Sequence, residues 1–186
     1  MDTWFISDTH FGHSNIIRHC DRPFRDADHM DTEIIDRINA VVGERDRLVH
    51  LGDFARGSVK RVQAYRERLA CRRIVLILGN HDPQNASGHA RAALRGLFEE
   101  VWDLHRLRLE SAIDPPVRRD LTLCHYPLAR WRNAVHGAWH LHGHTHGAFR
   151  ADGASLDLSV EAWDYRPVAW MQLEQAMLAK LAISAA

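Results

Sequence analysis

The sequence predicts a mixed α/β fold built in layers. In the first half of the chain, short apolar runs alternate with amphipathic helical segments, and mainly strand-like runs follow in the second half. A hydrophobic content of 46% and a charged content of 26% are ordinary for a globular protein. Because 186 residues suffice for one substantial core, we expect a single domain over residues 1–186.

Several short apolar runs are predicted to form strands, because glycine or polar residues bound each of them. The first five are TWFIS (3–7), RLVHL (47–51), RIVLIL (73–78), LTLC (121–124) and AWHLH (138–142). A late strand is predicted for PVAWMQL, residues 167–173.

Helical periodicity lies between and after these runs. DTEIIDRINAVV (31–42) and SVKRVQAYRERLA (58–70) each open with a capping residue and place apolar side chains along one face. SGHARAALRGLF (87–98) is a weaker helical segment, and EQAMLAKLAIS (174–184) is predicted to form a closing helix.

Charge and composition narrow the possible partners. Twenty-four basic side chains balance 24 acidic ones, so charge does not indicate a nucleic-acid partner and no membrane partner is expected. The chain shows no signal-peptide pattern and no apolar run near the ~18 residues of a membrane span. Its three cysteines are odd in number and lack metal-type spacing, which favours a reduced, cytoplasmic location.

Metal-binding side chains follow each of the first five predicted strands. In layered α/β folds, ligands bind at the carboxyl ends of strands, so we expect these side chains to converge. Oxygen and imidazole ligands without thiolates suit manganese, iron, zinc or nickel. Seven candidates are too many for one ion and fit two ions that share a carboxylate. They are Asp8, His10, Asp53, Asn80, His125, His144 and His146.

The motifs that carry these residues resemble the calcineurin-like metallophosphoesterases in order and spacing. They are DTH (8–10), GD (52–53), GNHD (79–82), His125 and GHTH (143–146). The resemblance implies two mixed β-sheets packed as a sandwich and flanked by helices. It also implies a dinuclear metal centre that hydrolyses phosphate esters by attack of a metal-bridging hydroxide. Two Mn²⁺ ions are expected, with Fe, Zn or Ni as alternatives.

The resemblance also implies a role for each motif residue. The first metal would be held by Asp8, His10, Asp53 and His146. The second would be held by Asp53, Asn80, His125 and His144, so that Asp53 bridges the two. His81 is implied to donate a proton to the leaving oxygen, and Asp82 is a candidate to orient His81.

Two motif residues are candidate contacts to substrate. The second motif reads GDFARG and lacks the inner aspartate of the GDxVDRG motif in protein phosphatases, but Arg56 is still a candidate contact to a phosphate oxygen. The first motif extends to DTHFGHSNI, as in small bacterial or phage-type phosphoesterases, and this places His13 near the site.

The loop HYPLARWRN (125–133) offers further candidates. Arg130 and Trp131 could grip a phosphate and stack on a base, or the loop could be a short helix with Trp131 packed on the body of the protein. His140 and His142 match no family ligand and are expected to have structural roles. The segment VEAWDYRPV (160–168) is interpreted as a structural turn.

The hypothesis that fits best is a dinuclear phosphoesterase with a slight preference for phosphodiesters, because a short chain without a cap domain should leave an open groove. A phosphomonoesterase with the same site is the alternative within the family. A metal-binding scaffold without catalysis is the alternative from another class. The expected partner is a small phosphate ester or a nucleotide, and the oligomeric state is left open.

Overall fold

A computed structural model describes residues 1–83, 89–113, 117–149 and 151–184. Within these residues the strands are β1 (Thr3–Ile6), β2 (Arg47–His50), β3 (Arg73–Ile77), β4 (Glu100–Trp102), β5 (Leu104–Glu110), β6 (Arg118–Cys124), β7 (Trp139–His142), β8 (Ser155–Asp157) and β9 (Val168–Ala169). The α-helices are α1 (Ser14–His19), α2 (Ala27–Val41), α3 (Val59–Glu67), α4 (His89–Leu94) and α5 (Trp170–Ser184). Short 3₁₀ turns span Ala134–His136 and Val160–Trp163.

The first sheet has the strand order β4-β3-β2-β1-β9. Strands β1 to β4 are parallel, and β9 pairs with β1 in the antiparallel sense. Parallel pairing aligns the carboxyl ends of β1, β2 and β3 at one edge of the sheet. The residues that follow these three strands include Asp8, Asp53 and Asn80, so the sheet brings them to the same edge.

The second sheet has the order β5-β6-β7-β8. Strands β6, β7 and β8 run parallel, and β5 is antiparallel to β6. His125 and His144 follow β6 and β7. The isolated bridge between Ser7 and Ser159 links the end of β1 to the segment after β8, and so it holds the site edges of the two sheets together.

Two apolar clusters pack on opposite faces of the first sheet. One joins it to the second sheet and includes Phe5, Val49 and Leu141. The other covers the far face with helix α2 and includes Ile6 and Ile34. Since Phe5 and Ile6 alternate along β1, that strand is buried on both faces, as expected for a parallel sheet covered by two layers. This arrangement confirms the predicted layered α/β fold with two mixed sheets and flanking helices.

Several predicted boundaries differ from the structure. Helix α2 begins at Ala27, earlier than predicted, because the Asp26 side chain caps it by accepting the backbone N–H of His29 at 2.8 Å. The predicted late strand 167–173 is wrong beyond its start: β9 has two residues, and α5 begins at Trp170. Leu173 and Met177, four residues apart, are both fully buried, which is helical spacing rather than strand spacing.

The second half also contains elements that were not predicted. Strand β5 alternates half-buried and exposed side chains along LHRLRLE, and its arginines obscure the apolar pattern. The predicted helix 87–98 corresponds to the shorter α4, and residues 84–88 lie outside the described part of the chain. Among the described helices, none combines the length and the apolar character that crossing a bilayer requires.

Candidate metal centre

The strand ends bring predicted metal ligands together at the shared edge of the two sheets. Asp8, Asp53 and His125 are buried, and each offers a ligand atom within 4.8 Å of the others. A second group with the same spacing consists of Asp8, His10 and His146. Asp8 belongs to both groups, so the two clusters are contiguous.

Asp53 lies between His10 and His125. Its Oδ2 is 3.4 Å from Nε2 of His10 and 3.5 Å from Nε2 of His125. Its Oδ1 accepts the backbone N–H of His81 at 2.8 Å. Nε2 of His125 is also 3.2 Å from Oδ1 of Asn80. This central position is the one that a bridging carboxylate requires, and the bridging role itself stays a prediction.

Two buried atoms of the cluster lack a hydrogen-bond partner among the described residues. They are Oδ1 of Asp8 and Nε2 of His10, which are 3.8 Å apart. Nε2 of His146 lies 3.7 Å from the same oxygen of Asp8. Burying polar atoms without partners is costly, and a divalent cation would satisfy them. The donor set of carboxylate oxygens and imidazole nitrogens therefore fits a metal centre.

The pKa values in the cluster reflect burial and mutual attraction. Burial raises the pKa of Asp53, but His125 and His10 outweigh burial and hold that pKa below its usual range. Burial lowers the pKa of His10 to about 2, so this ring is neutral. Burial also lowers the pKa of His125, but Asp53 and Asp8 outweigh it and raise the value to about 9. A metal that binds His125 must therefore displace a proton.

Glu161 contacts the Nδ1 side of the His146 ring and is itself bonded to Arg22, and neither residue was predicted from the sequence. Nδ1 of His146 lies 2.8 Å from Oε1 of Glu161, which also accepts the Nε–H of Arg22 at 2.9 Å. Arg22 donates further to the backbone carbonyl of Asp8 at 2.7 Å. A histidine bonded to a carboxylate through Nδ1 presents Nε2 to a metal. The signal available in the sequence was one acidic residue in a segment interpreted as a turn.

Cys20 also lies within ligand distance of His146 and Glu161. Burial, and next the Glu161 carboxylate, raise the pKa of its thiol to about 11. The thiol is therefore protonated in the metal-free protein, and a metal that binds Cys20 would have to displace this proton.

His144 reaches the cluster through its backbone and its ring. Its N–H donates to Oδ2 of Asp8 at 3.0 Å. Its ring centroid is 5.1 Å from that of His125 and 4.9 Å from that of Tyr126. Its ring nitrogens belong to none of the close ligand groups found among the described residues. The structure thus places His144 beside His125, and its role as a ligand stays a prediction.

His81 lies half-buried at the rim of the cluster. Its ring centroid is 5.1 Å from that of His10 and 5.2 Å from that of His13. A ring nitrogen of His81 is within 4.8 Å of ligand atoms of His10 and Asp53. The predicted proton donor is therefore brought to the cluster, and its catalytic role stays a prediction.

Asp82 makes contacts other than the predicted one with His81. Its Oδ2 accepts the backbone N–H groups of Asp53 and Gly79, each at 2.9 Å, and its Oδ1 accepts that of Phe54 at 2.9 Å. Both oxygens are thus used to hold the backbone of two strand ends. These bonds position Asp53, and the expectation that Asp82 orients His81 stays a prediction.

His13 and Arg56 lie together beside His10. Nδ1 of His13 is 3.2 Å from Nδ1 of His10, and Nη1 of Arg56 is 2.6 Å from Nε2 of His13. Burial, and next the charge of Arg56, lower the pKa of His13 to about 4. His13 is therefore neutral and accepts the N–H of Arg56. Both predicted substrate contacts adjoin the cluster, and contact with substrate stays a prediction.

The loop after His125 has a different arrangement. The indole of Trp131 donates to the carbonyl of Ala138 at 2.8 Å, and its ring centroid is 5.3 Å from that of His140. These contacts support the loop, as in the packed alternative. Arg130 is exposed. Contact of Arg130 and Trp131 with substrate stays a prediction.

His140 has the structural role that the sequence predicted for it. The ring is fully buried, and its Nε2 accepts the backbone N–H of Leu128 at 3.1 Å. Its Nδ1 lies 3.0 Å from the carbonyl of Thr122. His142 is also fully buried, and its Nδ1 lies 3.0 Å from the carbonyl of Gly143.

Five of the predicted ligands occupy the left-handed backbone region, which is strained for residues other than glycine. Glycine at position 143 permits a close approach, because a Cβ there would collide with side-chain atoms of Ser7 and Asp8. Tight turns thus point several ligand side chains into a small volume. The φ angles are 59° for Asp8, 52° for His10, 54° for Asp53, 69° for His144 and 49° for His146.

Comparisons with known proteins agree with this geometry. Residues 1–114 match the calcineurin-like phosphoesterase family. The uncharacterized protein MJ1445 of Methanocaldococcus jannaschii is 29% identical over 174 residues, which cover 89% of this chain and 85% of that protein. The gene 66 protein of Mycobacterium phage L5 is 29% identical over 184 residues, which cover 87% of each chain.

A solved structure supports the fold alone. The protein of unknown function AQ665 from Aquifex aeolicus superposes with a TM-score of 0.67 at 24% identity and covers 94% of this chain and 98% of its own.

The family match includes the DTH, GD and GNHD motifs and spans more than half of the 186 residues. This family implies a dinuclear centre of divalent metals, and the cluster of aspartates and histidines supplies candidate ligands for it. The chain belongs to the calcineurin-like phosphoesterase family, a family of metal-dependent phosphoester hydrolases.

Proposed function

We propose that this protein is a phosphodiesterase that uses two divalent cations, which we expect to be Mn²⁺. The observation that carries the proposal is the pair of buried, unpartnered atoms, Oδ1 of Asp8 and Nε2 of His10, which face each other beside Asp53. The first ion would be held by Asp8, His10, Asp53 and His146, and the second by Asp53, Asn80, His125 and His144.

The ions would lower the pKa of a water molecule and neutralise charge on the phosphoryl oxygens. Side chains of the protein would supply the proton for the leaving oxygen and further contacts to the phosphate. His81, at the rim, would donate a proton to the departing oxygen, a contribution of about 10²–10⁴-fold to the rate. The backbone N–H of His81 donates a hydrogen bond to Oδ1 of Asp53, and this holds His81 next to the predicted metal centre. Arg56 would bind a phosphoryl oxygen through guanidinium N–H groups that His13 leaves free.

The preference for diesters rests on the shape of the surface. A cavity lined in part by His13 and Arg56 lies near His10, and a separate, larger one of about 530 Å³ begins at His146. The ring centroids of His13 and His146 are each 5.2 Å from that of His10. A phosphodiester could place one substituent in each cavity, whereas a monoester would use one cavity.

The proposed substrate is a small phosphate ester or a nucleotide, with no membrane partner. The balance of 24 basic and 24 acidic side chains gives no support for extended contact with nucleic acid. A cytoplasmic location is part of the proposal, and it is supported by three cysteines that form no disulfide.

The proposal is tested by hydrolysis of bis(p-nitrophenyl) phosphate and p-nitrophenyl phosphate with Mn²⁺. We expect the diester to have the higher kcat/KM, a chelator to abolish activity and Mn²⁺ to restore it. A much faster monoester would reverse the preference and favour a phosphomonoesterase. Metal binding without hydrolysis of either ester would favour a scaffold without catalysis.

The role of His81 needs an ester with a poor leaving group, because p-nitrophenolate leaves without a proton. We expect His81→Asn to slow hydrolysis of an unactivated dinucleotide by about 10²–10⁴-fold and to slow the activated diester far less. Equal rates for the variant and the wild type on the dinucleotide would show that His81 is not the proton donor.

A further inference from the structure

A small cavity beside the cluster carries two positive charges. It has a volume of about 280 Å³ and is lined by residues 12–15 on one side and by Arg56, Gly57 and Arg61 on the other. A phosphate group has five heavy atoms and fits this space, since a water molecule takes up ~30 Å³. His13 lines the cavity and contacts His10, so the cavity adjoins the predicted metal centre.

The two guanidinium groups have no carboxylate partner in the cavity. Among the ion pairs of the described ranges, none involves Arg56 or Arg61, although Arg56 contacts His13 and Arg61 contacts the hydroxyl of Tyr65. The carboxylate of Asp31 is buried, and it accepts the hydroxyl of Tyr65 and the backbone N–H of Gly12. Each guanidinium carries five N–H donors, so most of them remain available to an anion.

Glycines hold Arg61 in its position. A Cβ added at Gly12, whose φ is +72°, would lie 2.5 Å from Nη2 of Arg61 and 2.8 Å from the hydroxyl of Tyr65. A Cβ at Gly57, whose φ is +117°, would lie 3.0 Å from Cδ of Arg61. The side chain of Arg61 therefore runs against bare backbone at two turns, and larger residues there would displace it. Arg61 is exposed overall, and this packing keeps part of its side chain against the cavity.

We propose that this cavity binds a second phosphate group of the substrate, with Arg61 as its principal ligand. The inference rests on the proposed phosphoesterase function and narrows its substrate class. Arginine binds phosphate oxygens through paired, charge-assisted hydrogen bonds. Because His13 lines the cavity and contacts His10 at the predicted metal centre, the occupant of the cavity would be the phosphate next to the reacting one. The substrates would be nucleotides or short oligonucleotides with consecutive phosphates.

The test compares activated esters that differ in one phosphate. The substrates are the p-nitrophenyl ester of thymidine 5′-phosphate, the same ester with a 3′-phosphate, and the ester with that 3′-phosphate linked to a second thymidine. The metal-loaded full chain is assayed as wild type, as Arg61→Gln and as Lys60→Gln. Lys60 is exposed and does not line the cavity, so its variant controls for loss of one positive charge.

We expect the wild type to prefer an ester with a 3′-phosphate and Arg61→Gln to reduce that preference about tenfold. Arg61→Gln should lower kcat/KM less for the ester without the 3′-phosphate than for the ester with it, and Lys60→Gln should keep the wild-type kcat/KM values and the preference. If the ester with a terminal 3′-phosphate is preferred over the thymidine-linked ester, the substrate is a nucleotide. An equal or larger preference for the thymidine-linked phosphate identifies an oligonucleotide.

A binding measurement separates this inference from the proposed function. Inorganic phosphate is titrated into the Zn²⁺-loaded chain, and the Nε–Hε signal of Arg61 is followed by NMR. If phosphate shifts this signal but the protein hydrolyses no ester, the anion site is supported and the proposed phosphoesterase function is refuted. If the protein hydrolyses the esters with the same preference in wild type and Arg61→Gln, and phosphate does not shift the signal, the phosphoesterase function is supported and the anion site is refuted.

Discussion

Replacing Glu161 with glutamine should weaken metal binding without a direct change to any predicted ligand. Oε1 of Glu161 lies 2.8 Å from Nδ1 of His146, accepts the Nε–H of Arg22 at 2.9 Å and forms an ion pair with its Nη2 at 2.7 Å. Glutamine keeps the size and the carbonyl oxygen but loses the charge. His146 would then be less firmly held with Nε2 directed at Asp8, from which it is 3.7 Å away.

The expected magnitudes follow from these contacts. Loss of a carboxylate that orients a metal-binding histidine typically weakens metal affinity by about 10–100-fold, which corresponds to about 1.4–2.7 kcal/mol. The side chain of Glu161 is 11% exposed and that of Arg22 is fully buried, so the variant also leaves a buried charge with a weaker partner. Breaking such a pair costs about 3–5 kcal/mol, and the remaining carbonyl favours the lower end of that range.

Glu174→Gln provides the matched control. Glu174 is also fully buried, and its Oε1 accepts Nε of Arg119 at 3.1 Å, while its Oε2 accepts the backbone N–H of Ala112 at 2.8 Å. Both variants should lower the free energy of unfolding in urea with chelator present. In a competition assay against a chromophoric chelator, only Glu161→Gln should lower affinity for Mn²⁺ or Zn²⁺. Equal metal affinity in the two variants would refute the orienting role of Glu161.

Three further changes probe other parts of the structure. Gly143→Ala should abolish tight metal binding, because its Cβ would collide with Asp8, whereas Gly137→Ala, with open space around it, should cost only about 1 kcal/mol of stability and keep the metals. Burial lowers the pKa of His140 from 6.5 to about 4, so the unfolded chain takes up a proton first as the pH falls. The free energy of unfolding should therefore drop between pH 6.5 and 4, by up to about 3 kcal/mol from this group, and urea titrations of His140→Gln should lack that part of the slope. Trp131→Phe removes the hydrogen bond to Ala138 and should cost about 1 kcal/mol in thermal unfolding with kcat/KM unchanged. A fall of tenfold or more in kcat/KM would instead assign the indole to substrate binding.

The first strands of each sheet edge and the convergence of most predicted ligands were predictable because both depend on residues that are adjacent in the sequence. An apolar run followed at once by Asp8 or His125 marks a strand end and its ligand together. The parallel order of β1, β2 and β3 then brings such ends to one edge. The late strand failed for an equally local reason: an apolar run such as WMQL satisfies strand and helix patterns alike, and burial against the sheets decides between them.

The supporting contacts were not predictable, because their partners are far apart in the chain. Arg22 and Glu161 are separated by 139 residues, and neither belongs to a motif. Asp82 does belong to a motif, but its position next to His81 suggested that residue alone as a partner. The partners that the structure shows include the backbone N–H groups of Asp53 and Phe54, nearly 30 residues away, and backbone groups leave no trace in the side-chain pattern.

The left-handed turns at the predicted ligands have a consequence for how such a protein changes over generations. At position 144 the histidine is exposed and has a φ of 69°, so glycine there would relieve about 1 kcal/mol of backbone strain and lose little packing. At this position, selection for stability alone would therefore favour glycine and would remove a predicted metal ligand.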